Sequence, residues 1–128
     1  MLSRAKTCRV LVVDDHPDSA QTFAHLLGLL GHEATAVTDP RQVVELVEQL
    51  KPDIVFLDIN MPGISGWELA AMLRKTHSHD QVSLVAVTAY GESRDRTKSR
   101  QAGFDAHVLK PVSMPLVQSI IETLGHSR

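Results

Sequence analysis

The sequence predicts an α/β fold, a doubly wound parallel sheet with helices on both of its faces. Five short runs of apolar and β-branched residues alternate with longer segments of helical period. Three of these runs are apolar throughout rather than alternating, which is typical of strands covered on both faces. Regular alternation of strands and helices favours a parallel sheet, because parallel strands need a crossover connection that is usually a helix.

The size and composition of the chain allow one ordinary domain. Its 128 residues are 43% hydrophobic and 22% charged, which argues against wholesale disorder and against two domains of normal size. We expect a leader over residues 1–8, one domain over residues 9–125 and a short tail over residues 126–128. A formal net charge of −2 provides no general attraction to nucleic acid or membrane surfaces.

No segment of the sequence predicts a membrane span or a disulfide. The longest apolar runs have four or five residues, far fewer than the roughly 20 needed to span a bilayer. Cys8 is the single cysteine, so an internal disulfide and a multi-cysteine metal site are both excluded. These features favour the reducing cytoplasm as the location.

The predicted strands suggest one topology and one place for a site. Right-handed crossovers leave few arrangements, and five strands with five helices suit the flavodoxin-like order 2-1-3-4-5. In such sheets ligands bind beyond the carboxyl ends of the strands, where the strand order reverses. The five predicted strands are residues 10–13, 34–37, 54–57, 84–87 and 106–109.

The five predicted helices carry recognisable start signals. Residues 19–30 repeat apolar side chains every three or four positions, which indicates an amphipathic helix. Asp39-Pro40 is typical of an N-cap followed by proline at the first helical position. The other signals are a capping-box pattern at Ser65 and Glu68, a mostly polar helix over residues 92–102, and Ser113 before the last helix.

Polar residues follow the apolar runs at the predicted carboxyl edge of the sheet. Asp14 and Asp15 follow the first strand, and Asp58, Thr88 and Lys110 follow the third, fourth and fifth. Because the strand order reverses between strands 1 and 3, these side chains are expected on one rim. Crowded carboxylates repel one another, and a bound cation relieves that repulsion. Oxygen-only ligands favour Mg²⁺, Mn²⁺ or Ca²⁺ over Zn²⁺, and Mg²⁺ suits a site shared with water and phosphate.

The same rim suits phosphoryl chemistry. Mg²⁺ and Lys110 together form a clamp for a phosphoryl group, and the Thr88 hydroxyl can donate to one of its oxygens. An aspartate can also act as the nucleophile and carry the phosphoryl group as an aspartyl phosphate. Asp58 is the best candidate for this role because it stands alone at the end of a central strand.

Four motifs carry a family resemblance. They are Val-Val-Asp-Asp at residues 12–15, Phe-Leu-Asp-Ile-Asn-Met-Pro-Gly at 56–63, Val-Thr-Ala at 87–89 and Leu-Lys-Pro at 109–111. In this order, at the ends of strands 1, 3, 4 and 5, they resemble the receiver domain of two-component response regulators over about residues 8–124. The segment over residues 103–112 is most similar to receivers attached to hybrid sensor histidine kinases.

The resemblance implies a phosphoacceptor and a metal site. Asp58 would accept a phosphoryl group from the phosphohistidine of a histidine kinase or histidine phosphotransfer protein. Mg²⁺ would be bound by Asp15 and Asp58, by the backbone carbonyl of Asn60 and, mostly through water, by Asp14. Such a protein takes part in its own phosphoryl transfer and is a signalling module rather than an enzyme.

The resemblance also implies a switch and a docking face. Thr88 would bond the phosphoryl group and move with it, Lys110 would pair with Asp58 and then with the phosphate, and Lys110-Pro111 would be a cis peptide. Receivers often carry tyrosine or phenylalanine where this chain has His107, so Thr88 and His107 form the expected switch pair. The face of helix 4, strand 5 and helix 5 would then meet a downstream protein, without direct contact to nucleic acid.

Two alternatives remain open from the residues. A small phosphohydrolase of the haloacid-dehalogenase type also uses an aspartate nucleophile, but it needs Asp-x-Asp where this chain has Asp58-Ile59-Asn60. A receiver-like docking module that works without phosphorylation usually lacks one of the acids or the lysine, and this chain retains them all. The phosphorylated receiver is therefore the favoured interpretation.

Overall fold

All five predicted strands form one parallel sheet in the computed structural model, which describes residues 7–89 and 93–124. The strand order is β2-β1-β3-β4-β5 and every neighbouring pair is parallel. The predicted doubly wound, flavodoxin-like sheet is therefore confirmed. The strands are β1 (Arg9–Val13), β2 (Glu33–Val37), β3 (Ile54–Asp58), β4 (Ser83–Thr88) and β5 (Ala106–Leu109).

Five α-helices connect and follow the strands. They are α1 (Pro17–Leu29), α2 (Val43–Leu50), α3 (Gly66–Arg74), α4 (Ser93–Ala102) and α5 (Met114–Leu124). None of the helices within the described ranges is long and apolar enough to cross a bilayer. Most of the predicted leader and the whole predicted tail lie outside the described residues.

Two apolar cores lie on opposite faces of the sheet. Along β1, Leu11 and Val13 belong to the core that includes residues of α2 and α3, whereas Val10 and Val12 belong to the core with residues of α1 and α5. Successive side chains of a strand point to opposite faces. A strand buried on both faces must therefore be apolar at every position, which explains the continuous apolar runs in the sequence.

The helix starts agree with the capping signals, with one correction. Ser65 and Glu68 form the reciprocal capping box at the start of α3. Asp39 does act as an N-cap, and its Oδ1 accepts a hydrogen bond from the Arg41 N–H at 3.0 Å. The element that it caps is a single 3-10 turn, Pro40–Gln42, and α2 begins only after that turn. The sequence signal marks the cap but does not distinguish a 3-10 turn from an α-helix, because both begin in the same way.

Gly66 allows the start of α3 to pack against the end of β3. Its N–H donates a hydrogen bond to the Ile59 carbonyl oxygen at 2.9 Å. A Cβ atom at this position would lie 2.6 Å from the Asp58 carbonyl oxygen and 2.7 Å from Ile59 Cα. Both of these are backbone atoms, so neither can rotate out of the way.

Replacement of Gly66 by alanine is expected to lower the free energy of unfolding by about 2 kcal/mol or more, because it overpacks backbone against backbone. The measurement is equilibrium urea unfolding. Gly28→Ala is the matched control, since a Cβ at Gly28 in α1 meets no atom within 4 Å. Alanine in a helix favours folding over glycine by up to about 1 kcal/mol. Equal stability of the two variants would contradict the close approach of α3 to β3.

Candidate functional site

The predicted site residues meet at the carboxyl edge of the sheet. Asp58 is the last residue of β3 and Thr88 the last residue of β4, while Asp14 and Lys110 directly follow β1 and β5. Parallel pairing brings these strand ends side by side, with Asp58 opposite Val87. Residues that are far apart in sequence therefore share one rim.

Three carboxylates and one imidazole form a cluster on this rim. Asp14, Asp15, His16 and Asp58 each offer one ligand atom, and the four atoms lie within 4.8 Å of one another. Asp14 and Asp58 are 7% and 3% exposed. His16 is not among the site residues that the sequence predicts. Its position directly after the Asp-Asp pair is the signal that could have found it.

Lys110 is the cation that faces the buried carboxylates. Its Nζ lies 3.0 Å from Asp58 Oδ2 and 3.5 Å from Asp14 Oδ2. Its backbone N–H donates a hydrogen bond to the Thr88 carbonyl oxygen at 2.8 Å. The peptide bond between Lys110 and Pro111 is cis. The lysine is therefore fixed to the strand that carries Thr88 and paired with the carboxylate that ends β3.

The other oxygen of Asp58 is held by the loop that follows β3. Asp58 Oδ1 accepts a hydrogen bond from the Asn60 N–H at 3.0 Å. Both carboxylate oxygens therefore have a donor, one on the backbone and one on Lys110. This contact brings the Asn60 backbone to the cluster, while the role of the Asn60 carbonyl as a metal ligand stays a prediction.

Burial shifts the ionisation of this pair. It raises the pKa of the Asp58 carboxyl, and the hydrogen bonds and charge supplied by Lys110 and the Asn60 N–H only partly offset that effect. Burial also disfavours the Lys110 ammonium. The hydrogen bond and charge of Asp58, together with those of Asp14, outweigh burial and raise the pKa of Lys110. The lysine therefore stays charged, and the carboxylate carries an unrelieved cost of burial.

The cluster fits a divalent cation. Asp15 Oδ1 is buried, yet among the described residues no group donates a hydrogen bond to it. A buried carboxylate oxygen without a donor is costly unless a cation satisfies it. Carboxylate oxygens with room for water are the ligands that Mg²⁺ prefers. Asp14, Asp15 and Asp58 could therefore hold Mg²⁺ beside Lys110.

The two residues of the expected switch lie on neighbouring strands. Thr88 is 3% exposed at the end of β4. His107 is half-buried in β5 and pairs with Ala86 of β4. Its neighbour Val108 belongs to the core on the α1 and α5 side, so strand alternation directs His107 to the opposite face. A switching role for this pair stays a prediction.

A comparison with known families identifies the class of protein to which the chain belongs. A model of the response regulator receiver domain matches residues 10–122. The chain therefore belongs to the receiver domain family of two-component response regulators. Members of this family are signalling proteins that interact with histidine kinases or phosphotransfer proteins.

Individual relatives match this chain over nearly its whole length and over nearly all of their own. The polar-differentiation response regulator DivK of Brucella anthropi is 28% identical over 117 residues, which cover 91% of this chain and 95% of DivK. A CheY-like receiver domain protein from Methanospirillum hungatei is 25% identical, with a TM-score of 0.83, over 95% of this chain and 97% of that one. The chemotaxis protein CheY4 of Vibrio cholerae has the same TM-score at 20% identity, over 93% and 99% of the two chains.

Mg²⁺ is expected to stabilise the folded protein through the acidic cluster. At about 100 times its Kd, a ligand that binds only the folded state adds about 2.7 kcal/mol to the free energy of unfolding. Urea unfolding with and without Mg²⁺ measures this gain, which should largely disappear in Asp15→Asn. Asp80→Asn is the matched control, because Asp80 is exposed and precedes β4 at the opposite edge of the sheet. The same gain in Asp15→Asn as in the wild type would exclude Asp15 as a ligand.

Without a divalent cation, Asp58→Asn is expected to be more stable than the wild type at pH 7, because it removes a buried charge whose cost is only partly offset. The raised pKa of Asp58 means that ionisation of this group weakens the fold as pH rises through that pKa. The difference in the free energy of unfolding between Asp58→Asn and the wild type should therefore decrease as the pH is lowered from 7 toward 3.8, the ordinary pKa of the carboxyl group. Urea unfolding in EDTA at several pH values tests this, with Asp80→Asn as control. A pH-independent difference, or a less stable variant at pH 7, would contradict the raised pKa.

Proposed function

We propose that this receiver domain accepts a phosphoryl group on Asp58 and signals through the change that follows. The observation that carries the proposal is the state of Asp58 itself. Its carboxylate is almost fully buried at the end of β3, with Lys110 Nζ 3.0 Å from Oδ2 and the Asn60 N–H on Oδ1. A carboxylate held in this way is oriented as a nucleophile before the donor arrives.

The proposed reaction is a single group transfer. A carboxylate oxygen of Asp58 forms a bond to phosphorus, and the bond from phosphorus to the histidine ring nitrogen of the donor breaks. The imidazole leaves with the electron pair of that bond and takes up a proton from solvent where it needs one. The donor is a histidine kinase or a histidine phosphotransfer protein, and the product is an acyl phosphate on Asp58.

Each neighbouring residue then has a defined task. Lys110, already paired with Asp58, neutralises the negative charge that the phosphoryl group brings. Thr88 donates its hydroxyl to a phosphoryl oxygen from the end of β4. Asp14, Asp15 and the Asn60 carbonyl hold Mg²⁺ with Asp58. When bound, Mg²⁺ supplies further neutralisation of the phosphoryl oxygens.

The downstream contact is proposed for the face formed by α4, β5 and α5. Leu109 at the end of β5 and Leu116 in α5 are 42% and 47% exposed. Exposed leucines on β5 and α5 support a role in protein contact, and we propose that Thr88 and His107 transmit the change to this surface. We assign the unit to residues 9–125, and we propose the cytoplasm as its compartment because a chain with a single cysteine has no internal disulfide.

The phosphohydrolase alternative has less support from the site. A general acid is needed two residues after the nucleophile, and this chain has Asn60 there, with its N–H on Asp58 Oδ1. The docking module that works without phosphorylation is also less well supported, because such a module usually lacks one of the acids or the lysine, and here all of them meet at the rim.

Incubation with Mg²⁺ and acetyl phosphate is expected to add one phosphoryl group to the wild type and none to Asp58→Asn. Intact-protein mass spectrometry measures the product directly. Asp80→Asn should gain the group as the wild type does, because it removes an exposed carboxylate away from the rim. If the acyl phosphate is too short-lived to be detected by mass, binding of beryllofluoride, a stable phosphoryl mimic, tests the same site. No mass gain together with no beryllofluoride binding would contradict the proposal.

A further inference from the structure

His16 belongs to the acidic cluster, although none of the chemistry proposed above uses it. Its Nδ1 lies 3.3 Å from Asp14 Oδ1 and 3.4 Å from Asp15 Oδ1. It is one of the four residues whose ligand atoms lie within 4.8 Å of one another. The side chain is 70% exposed, so its apolar surface is not what holds it against the two carboxylates.

The orientation of His16 is not explained by the helix that it precedes. His16 is the N-cap residue of α1, and its side chain makes no capping hydrogen bond. Serine, threonine, aspartate and asparagine are the residues that normally satisfy this position. The His16 N–H instead donates to Asp14 Oδ1 at 3.0 Å. The backbone and the ring of His16 therefore both face the cluster.

The distances suit coordination of one ion. Ligand atoms about 2.1 Å from a common metal ion lie roughly 3.0–3.4 Å from one another. The Nδ1 of His16 has this spacing to oxygens of both Asp14 and Asp15. The Asp15 oxygen concerned, Oδ1, is the buried atom that receives no hydrogen bond from the described part of the chain. An ion bound there would satisfy this oxygen and would replace the hydrogen bond that joins His16 Nδ1 to Asp14 Oδ1.

A nitrogen ligand changes which ion the site prefers. Mg²⁺ is bound almost entirely through oxygen. Imidazole suits Zn²⁺ and the late first-row divalent ions, which bind mixed nitrogen and oxygen sites more tightly. We propose that His16 Nδ1 is an additional ligand of the acidic cluster and makes it bind Zn²⁺ more tightly than the carboxylates alone would. This inference rests on the proposed function, because the same carboxylates are the ones assigned to Mg²⁺.

The consequence is a site with two competing ions. Zn²⁺ held by His16, Asp14 and Asp15 occupies the space assigned to Mg²⁺ next to Asp58. A chain with an oxygen side chain at this position would lack that competition. His16 is thus a selectivity residue for the metal.

The test compares the affinities of Zn²⁺ and Mg²⁺ by isothermal titration calorimetry in the wild type and in His16→Asn. Asparagine is a good N-cap residue, so the start of α1 is retained. The ratio of Zn²⁺ affinity to Mg²⁺ affinity is expected to fall about tenfold or more, since even outer-shell partners of a metal are worth that much. His25→Asn is the matched control, because His25 is exposed on α1 and outside the cluster. An unchanged ratio in His16→Asn overturns the proposal and leaves His16 as an ion-pair partner only.

A second readout locates the bound ion. When Zn²⁺ is added, the NMR signal of His16 Nδ1 should move to the position of a metal-bound imidazole nitrogen, whereas with Mg²⁺ it should stay in the range of a nitrogen that is not bound to metal. Zn²⁺ signals confined to other histidines, such as His77 and His79, would overturn the proposal. Failure of the proposed function gives a different result, in which Mg²⁺ binds neither the wild type nor any variant. Normal Mg²⁺ binding with an unchanged ratio contradicts the His16 proposal alone.

Discussion

The pairing of Asp58 with Lys110 is the interaction on which the site depends. A carboxylate that is 3% exposed is expensive to ionise unless a cation and hydrogen bonds satisfy it. The two residues are separated by 52 positions in the sequence, so their contact exists only when β3 and β5 lie parallel on either side of β4. The charge pair therefore forms only because the sheet has this topology. A change of charge on Asp58 therefore acts directly on Lys110, the residue that follows the edge strand β5.

The sheet can hold such a costly pair because its centre is covered on both faces. Every residue of β3 from Ile54 to Asp58 is buried, and helices pack on either side through separate cores. The start of α3 lies directly against the end of β3, where only a glycine fits at position 66. The backbone that carries Asp58 is thus fixed from the side as well as along the strand. A rigid frame of this kind lets the carboxylates keep a spacing that free chains would avoid through repulsion.

The sequence predicts the three central strands well, because a strand buried on both faces requires an uninterrupted run of apolar residues. It ends the third strand one residue early, at Leu57, because apolarity stops there while the backbone pairing continues through Asp58. The first helix is predicted to begin at Ser19, which is two residues late, because α1 begins at Pro17. The convergence of Asp14, Asp58 and Lys110 follows from topology and was predictable. The direction of the His16 ring was not predictable. An N-cap position specifies a backbone conformation, and a side chain that makes no capping hydrogen bond can contact any neighbouring group.

One backbone contact joins two residues of the rim, and one side-chain contact joins α4 to α3. The Lys110 N–H donates a hydrogen bond to the Thr88 carbonyl oxygen at 2.8 Å, so the two residues proposed to contact a phosphoryl group also share a backbone hydrogen bond. On the same side of the sheet as the α3 core, Lys98 Nζ lies 4.0 Å from the centre of the Trp67 ring and joins α4 to α3. Apolar residues are few in α4, whose sequence is mostly charged or polar. A helix with little apolar surface to bury gains little stability from tertiary packing. In the proposed function, this contrast between a fully buried β3 and a mostly polar α4 would let a charge change on Asp58 alter the surface that α4 contributes.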